Sequence, residues 1–278
     1  MPTVQVLKKK LRGVQTTRKI SKAMKTAATV KYSRLSAVYS GYSKYAKQCE
    51  ALYGRYGKDF LSAFPELNED APVCYIVMAS NKGMCGSFNH DLFDFAEKIL
   101  CKDDKEYDLI VCGEKAKAFF DNKSIRYIKD FTFNDVPSFS EAENLYNELI
   151  KLIEEKGYSS VKIIYQHYVN MMKQTPAVKD LFGEASEQAQ GSGEELFIPD
   201  KATVIKKSAE SIISATIYGL VLGTAIGAQA ATVMNMRSAY DTATEYEEQL
   251  ESEINRKRQS QVTADVIETS AEFSQEEE

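Results

Sequence analysis

The chain has 278 residues, of which 35 are basic and 40 acidic, for a formal net charge of −5. This acidic balance disfavours a protein devoted to nucleic acid binding. The five cysteines are an odd number and show no Cys-x-x-Cys spacing, and the sequence has no signal-peptide pattern. They therefore indicate a reducing compartment rather than a disulfide framework.

The charge is divided unevenly along the chain. The first 49 residues contain 12 Lys or Arg and no Asp or Glu, whereas the remaining 229 contain 23 basic and 40 acidic residues. We call residues 1–49 the basic arm. This asymmetry predicts that the arm contacts an acidic partner, while the acidic body keeps the protein soluble.

The basic arm carries the pattern of a coiled-coil helix, which we assign to residues 1–56. Its apolar residues recur at steps of three and four, the period of a seam against a partner helix. They are Val4, Leu7, Leu11 and Val14, followed by Leu35, Val38, Tyr42, Tyr45, Cys49 and Leu52. No proline occurs between Pro2 and Pro65, so one helix of about 50 residues and roughly 75 Å is allowed.

Three alternatives explain the basic arm differently. The pattern also fits a solvated helix face, a mitochondrial transit peptide or a basic helix that binds nucleic acid. The seam extends to Leu52, beyond a targeting segment, which disfavours the transit peptide. Interleaved Arg and aromatic residues are lacking, which disfavours nucleic acid. A basic coiled-coil protein associated with nucleic acid is kept as the alternative function.

Residues 71–182 have the texture of an α/β domain. Apolar runs predict buried strands at Val73–Met78, Tyr107–Cys112 and Val161–Tyr165. Helical patterns lie among them at Phe88–Leu100, Glu114–Phe120 and Ser140–Glu155. Because strands alternate with helices, we predict βαβ units and a mostly parallel sheet that is covered on its faces.

The first predicted strand leads into a loop with two glycines, Gly83 and Gly86, that opens the next helix. Glycines at a helix N-terminus suit phosphate binding. However, neither Gly-x-Gly-x-x-Gly nor Gly-x-x-x-x-Gly-Lys-Ser/Thr is present. Turn geometry is therefore the simpler interpretation, and we expect no cofactor.

The last third of the chain predicts a loop and a second long helix. Residues 183–201 are polar and contain Gly and Ser, which is typical of an exposed loop. Residues 202–273 lack proline, and at 1.5 Å per residue a helix there would be roughly 105 Å long. Its seam suits the N-terminal helix, so we predict an antiparallel coiled coil. The seam residues are Ala239, Ala243, Tyr246, Leu250 and Ile254. Residues 274–278 form an acidic tail.

An uncharged stretch, Ser211–Met236, lies within this second helix. Its length fits a transmembrane helix, and Gly219, Gly223 and Gly227 form a stripe of the kind found in membrane helix pairs. The stretch also contains Ser, Thr, Gln and Asn, so we expect protein rather than lipid to bury it. The glycine stripe predicts the close approach of another backbone.

The sequence shows no catalytic machinery. The two histidines, His90 and His167, are 77 residues apart and lack metal-ligand spacing. No Walker motif and no Gly-x-Ser-x-Gly elbow occurs. We expect no catalytic residue and no metal site.

Three segments resemble one family in its own order. Residues 14–24 read Val-Gln-Thr-Thr-Arg-Lys-Ile-Ser-Lys-Ala-Met and resemble the Val-x-x-Thr-x-x-Ile-Thr-x-Ala-Met core of the gamma subunit family of F-type ATP synthases. Residues 83–89 resemble the family signature Gly-Leu-Cys-Gly-Gly-x-Asn, with Met84 and Ser87 as departures. Residues 255–268 resemble Asn-x-x-Arg-Gln-x-x-Ile-Thr-x-Glu-Leu-x-Glu. The resemblance covers essentially the whole chain.

The resemblance implies a fold and a function. The implied fold is α/β, with a long antiparallel coiled coil of the N- and C-terminal helices and a Rossmann-like α/β domain that binds no dinucleotide. The implied protein is a noncatalytic rotor shaft that couples ion translocation through a membrane ring to ATP synthesis or hydrolysis. The implied partners are the alpha, beta, epsilon and c-ring subunits, with one gamma copy per complex. The complex would sit at the cytoplasmic face of the bacterial plasma membrane, with the gamma chain peripheral to it.

The resemblance also implies which residues meet the alpha/beta ring. The basic residues are expected to act as a weak sliding field, and Arg258 and Gln259 match a polar catch that makes angle-dependent contacts. The expected contact residues are Lys19, Lys22, Met24, Lys25, Lys31, Arg34, Arg258, Gln259 and Thr263. The family's signature loop corresponds to Gly83, Cys85, Gly86 and Asn89.

Two departures from the family concern the C-terminal third. The uncharged stretch usually carries acidic residues in the family, but this chain has Gly223 and Ala228 at the aligned positions. The family usually ends in a small apolar tail, whereas this chain has six acidic and no basic residues after Arg258. Because unpaired charge is costly to bury, we expect the tip to project beyond the partners.

Overall fold

The computed structural model describes residues 3–64, 67–68, 70–102, 105–183 and 197–276. Two long helices lie before and after an α/β domain in the chain. The helices are α1 (Val4–Leu61), α2 (Phe88–Leu100), α3 (Glu114–Asn122), α4 (Phe139–Lys156) and α5 (Lys201–Glu276). The strands are β1 (Val73–Met78), β2 (Tyr107–Cys112), β3 (Lys129–Phe131), β4 (Ser160–Asn170) and β5 (Lys173–Asp180). The predicted fold class is confirmed.

The chain divides into two compact units. The first unit joins Met1–Ala27 to Val233–Glu278, and the second is Ala28–Thr232. The predicted domain boundaries stay a prediction. Most of the predicted exposed loop, residues 184–196, lies outside the described residues. The last two residues of the predicted acidic tail, 277–278, also lie outside them.

The sheet of the second unit has the strand order β3-β2-β1-β4-β5. The first four of these strands in that order are parallel, and β5 pairs antiparallel with β4. The sequence predicted β1, β2 and the first half of β4, at Val161–Tyr165, but missed β3 and β5. β3 has only three residues, and β5 carries Pro176, which is tolerated because β5 is an edge strand.

Alternate residues of β1 face two different cores. Ile76 and Met78 pack in a cluster with α4 and with α5 residues such as Ile217. Tyr75 and Val77 pack in a second cluster with α2 and α3. All six β1 residues are therefore buried, as expected for a central strand with helices on both faces.

The uncharged stretch of α5 forms part of one of these cores. Ile213, Ile217 and Val221 belong to the cluster that covers the sheet. By length and composition α5 could also span a membrane, but 67% of its most apolar window is buried inside the protein. Protein covers this stretch, as the sequence predicted.

In the second unit, α1 packs against α5 and β4. Leu35 is fully buried beside Leu222 and Ile226, and the Tyr32 and Tyr168 hydroxyls lie 2.8 Å apart. The predicted seam is wrong in part: Leu35 and Cys49 are buried, but Val38, Tyr45 and Leu52 are exposed. Two residues that follow Leu35 and Cys49 by four positions turn inward instead. Tyr39 packs on Tyr168 of β4, and Tyr53 packs on Phe60.

In the first unit, the ends of α1 and α5 pack antiparallel. Leu7 contacts Leu250 and Ile254, with Val4, Leu11 and Val14 around them. The predicted C-terminal seam is wrong at one residue. Tyr246 is 44% exposed and Glu247 is buried in its place.

Side chains, rather than another backbone, lie against two of the three glycines of the stripe. The predicted close approach of another backbone is therefore wrong. A Cβ atom at Gly219 would lie 2.2 Å from the Tyr42 hydroxyl oxygen, and one at Gly227 would lie 3.1 Å from the Phe88 ring. A Cβ atom at Gly223 would have no neighbour within 4 Å. Tyr42 cannot easily move, because its hydroxyl donates a 2.8 Å hydrogen bond to the Ala215 carbonyl.

We expect Gly219→Ala and Gly223→Ala to change stability in opposite directions. At Gly219 the displaced Tyr42 ring should lower the free energy of unfolding by about 1–2 kcal/mol. At Gly223 the gain in helix propensity should raise it by up to about 1 kcal/mol. Urea unfolding of the two full-length variants measures both. Equal stabilisation by the two substitutions would show that the position of the Tyr42 ring does not require a glycine at residue 219.

Candidate partner-contact surfaces

The predicted contact residues of α1 differ in exposure. Lys19, Lys22 and Arg34 are exposed, whereas Met24, Lys25 and Lys31 are half-buried. Residues 19–25 belong to the first unit, and Lys31 and Arg34 to the second. The three exposed cations can therefore meet a partner without breaking a packed contact.

Lys25 lies against the other helix of its unit. Its Nζ atom is 5.1 Å from the centroid of the Tyr240 ring, which is within the range of a cation–π interaction. This contact accounts for its partial burial and fixes the direction of the side chain.

An ion pair to a buried carboxylate, which the sequence did not predict, crosses the first unit. Arg18 Nη1 lies 2.9 Å from Glu247 Oε2, and Glu247 is only 7% exposed. Gln15 Nε2 donates a 3.0 Å hydrogen bond to Glu247 Oε1. A buried carboxylate needs such partners to offset the cost of desolvation. The ion pair and the hydrogen bond thus link the two helices of this unit.

Lys31 is held by the α/β domain of the second unit. Its Nζ atom lies 2.5 Å from Asp135 Oδ2, and Lys82 Nζ lies 2.9 Å from the same oxygen. The hydrogen bonds from Lys31 and Lys82 lower the pKa of the Asp135 carboxyl. Lys31 is thus paired within the chain, an ion pair that the sequence did not predict.

The predicted contact residues of α5 are open to solvent. Arg258, Gln259 and Thr263 are all exposed on the C-terminal part of α5. The Thr263 hydroxyl donates a 3.0 Å hydrogen bond to the Gln259 carbonyl one turn earlier. Arg258 and Gln259 are thus consecutive, exposed residues of a regular helix.

The signature loop is a closed turn between β1 and α2. The Asn89 amide donates to the Ser80 hydroxyl at 2.8 Å, and its oxygen accepts from the Ser80 backbone at 3.2 Å. Gly86 has a φ of 60°, which favours glycine. Cys85 is buried beside Phe88 and Ala228, and burial raises the pKa of its thiol. Packing and turn geometry explain these residues.

Titratable side chains do not gather into a metal site in the described part of the chain. No group of three or more His, Cys, Asp and Glu residues is arranged to hold a metal ion there. His90 Nδ1 lies 3.5 Å from an Asp94 oxygen on an exposed face of α2. The expected absence of catalytic and metal sites stays a prediction.

Comparison with known proteins identifies the family. A family model described as ATP synthase matches residues 3–271. The chain belongs to this family.

Several relatives are gamma chains of ATP synthase. One from Desulforudis audaxviator is 29% identical, with 96% of this chain and 97% of the relative covered. Another, from Staphylococcus epidermidis, is 30% identical over 70% of each chain. The function is that of the gamma subunit, in the central stalk rotor of the F-type ATP synthase, and the alternative nucleic-acid-associated function is not supported.

Solved structures share the fold. A chain of the rotor of Euglena gracilis mitochondrial ATP synthase has a TM-score of 0.65 and 15% identity, covering 93% of this chain and 98% of that one. A chain from the central stalk and c-ring of the Tetrahymena thermophila enzyme has a TM-score of 0.59 and 16% identity, covering 79% and 99%. Both likenesses therefore concern the fold, over most of this chain.

We expect Glu247→Ala to destabilise the first unit. The substitution leaves Arg18 without its buried partner, at a cost of about 2–3 kcal/mol. Glu248→Ala is the matched control, because Glu248 is the adjacent and exposed carboxylate. Thermal unfolding followed by circular dichroism compares the two. If Glu247→Ala lowers the unfolding temperature no more than the control does, the ion pair does not hold the helix ends together.

Proposed function

We propose that this gamma subunit is a noncatalytic shaft and that nucleotide chemistry belongs to its partners. The family membership over residues 3–271 carries this proposal. Rotation of an asymmetric shaft would present different faces to each catalytic site in turn. Each face would bias a site between open and closed states by its differential contact energy.

The proposed partners are the alpha, beta, epsilon and c subunits, with one gamma chain per complex. The chain would be peripheral to the membrane through the c-ring, at the cytoplasmic face of the bacterial plasma membrane. Bacterial gamma chains among the relatives support this placement. Association with F1 and the c-ring agrees with the solved complexes that contain the similar chains.

The exposed cations of α1 would supply the sliding part of the contact. Lys19, Lys22 and Arg34 are exposed, and a single exposed ion pair contributes only about 0.2–1 kcal/mol. Such weak pairs form and break without trapping one rotor angle. Lys25 and Lys31 would contribute charge to the same field from fixed positions, because Tyr240 and Asp135 hold them. Met24 is half-buried and would add an apolar contact.

Arg258, Gln259 and Thr263 would make the angle-dependent contact. Arg258 carries a planar group that binds a carboxylate with two hydrogen bonds, and the neighbouring amide adds a directional donor and acceptor. Both lie after Ile254, which is the last α5 residue of the apolar cluster around Leu7. Their removal should therefore weaken the contact with partners without unpacking the gamma subunit.

We expect the double substitution of Arg258 and Gln259 by Ala to lower ATP turnover of the assembled complex more than it lowers assembly. The matched control replaces Arg256 and Gln261 by Ala, since both are also exposed. Lys22→Glu should have a smaller effect at physiological salt, because charges are screened over about 8 Å. Steady-state hydrolysis normalised to assembled complex is the measurement. A harsher effect of Lys22→Glu, at unchanged assembly, would contradict the division between sliding field and specific contact.

We also expect the purified full-length chain to bind no MgATP tightly. The loop after β1 lacks a Walker sequence, and hydrogen bonds to Asn89 close it. Equilibrium dialysis with labelled MgATP tests this directly. Stoichiometric binding that is lost in Lys82→Gln or Gly86→Ala would contradict the noncatalytic assignment.

A further inference from the structure

A cavity lies at the carboxyl end of the parallel strands in the second unit. Its walls come from the ends of β1 and β2, from the loop around Asp135 and from one face of α5. It measures about 60 Å³, and a single water needs roughly 10–15 Å³ by this measure. The cavity therefore has room for several non-hydrogen atoms. In open α/β sheets this end of the strands is where ligands bind.

One polar group in the cavity wall has no partner. Thr224 is 4% exposed, and its hydroxyl makes no hydrogen bond within the described structure. Other threonines of α5 donate to the carbonyl one turn earlier, as Thr216 does to Ile212 and Thr232 to Ala228. Because an unpaired buried hydroxyl is costly, Thr224 calls for a partner that occupies the cavity.

A cation with spare bonding capacity lies in the same wall. Lys82 lines the cavity, and its side chain remains 67% exposed although it pairs with Asp135. Asp135 accepts from Lys31 as well, so this cluster holds two ammonium groups for one carboxylate. The amide of Asn81 is committed to the Phe133 carbonyl. The cluster can therefore accept one more negative charge, at Lys82.

Small apolar side chains line the cavity together with these two polar groups. Val221, Ala225 and Ala228 supply the α5 side of the wall, and Phe133 and Pro137 face the cavity from the loop. Alanines here leave unfilled the space that a larger residue would occupy. A ligand with an anionic end, a short apolar middle and a second polar atom would match a lining that offers Lys82, these apolar side chains and Thr224.

We propose that this cavity binds a short monocarboxylic acid that carries a second oxygen, as a hydroxy or keto acid does. The carboxylate binds Lys82 at the solvent side, where its desolvation costs least. The short chain packs on Val221 and Ala225. The second oxygen pairs with the Thr224 hydroxyl.

Titration of the full-length chain with 4-hydroxybutyrate tests the proposal, followed by NMR of the Val and Ala methyl groups. We expect saturable shifts at Val221 and Ala225, with a Kd on the order of 1 mM. Butyrate, which lacks the hydroxyl, should bind about 2–10-fold more weakly, which is the range for one net hydrogen bond. In Thr224→Val that difference should vanish, whereas Thr216→Val should retain it. Lys82→Gln should weaken binding about tenfold, whereas Lys115→Gln, an exposed neighbour, should not.

Several outcomes would overturn the proposal. Absence of saturable shifts would mean that the cavity holds water only. Equal shifts with 4-aminobutanol would show that the site does not select an anion. Binding that survives Ala225→Leu would place the ligand elsewhere. If Ala225→Leu does not fold, the paired comparison of Thr224→Val with Thr216→Val decides the result, because both variants keep the side-chain volume nearly unchanged.

Discussion

Burial of the uncharged middle of α5 is the interaction on which the second unit depends. Ile213, Ile217 and Val221 complete the core on one face of the sheet, and Leu222 and Ile226 pack on Leu35 of α1. Full burial of each such side chain contributes about 1.5–3 kcal/mol. A charge at one of these buried positions would lie between sheet and helix without solvent. The lack of charge at these positions thus follows from the packing.

The same burial sets the properties of the surrounding residues. The Tyr42 ring can lie over α5 only because Gly219 has no side chain, and its hydroxyl then reaches the Ala215 carbonyl. Alanines on the next turns of α5 leave the cavity beside Lys82 unfilled. Beyond this region, from residue 255 to residue 267, α5 is almost wholly exposed. One helix therefore combines a buried middle with a solvent-facing end that is suited to partners.

The sequence predicted the elements whose pattern depends on local composition. β1, β2 and α2 were predicted with their observed bounds, because each is a dense apolar run or a regular amphipathic one. β3 and β5 escaped prediction because edge strands are short or polar and are defined by their neighbours. The seam of α1 was only half correct, since periodicity alone does not reveal that β4 packs beside α5.

The sequence predicted the charge of the contact surfaces but not the ion pairs that hold some of their side chains. The basic arm was evident from counting, yet the pairing of Lys31 with Asp135 joins residues 104 apart in the chain, beyond the reach of local patterns. Glu247 was overlooked because Tyr246 is the more apolar residue, although Glu247 stands three residues before Leu250, at a seam spacing. A charged residue at such a spacing was the available signal for the ion pair with Arg18.

Hydrogen exchange along α5 tests most directly the claim that its middle is buried by the fold and its end is reserved for partners. In the free chain, amides of residues 212–230 should exchange only on global unfolding, and those of residues 255–267 should exchange fast. In the assembled complex, residues 255–267 should become protected. Rapid exchange in the middle, or no added protection of the end on assembly, would contradict this account.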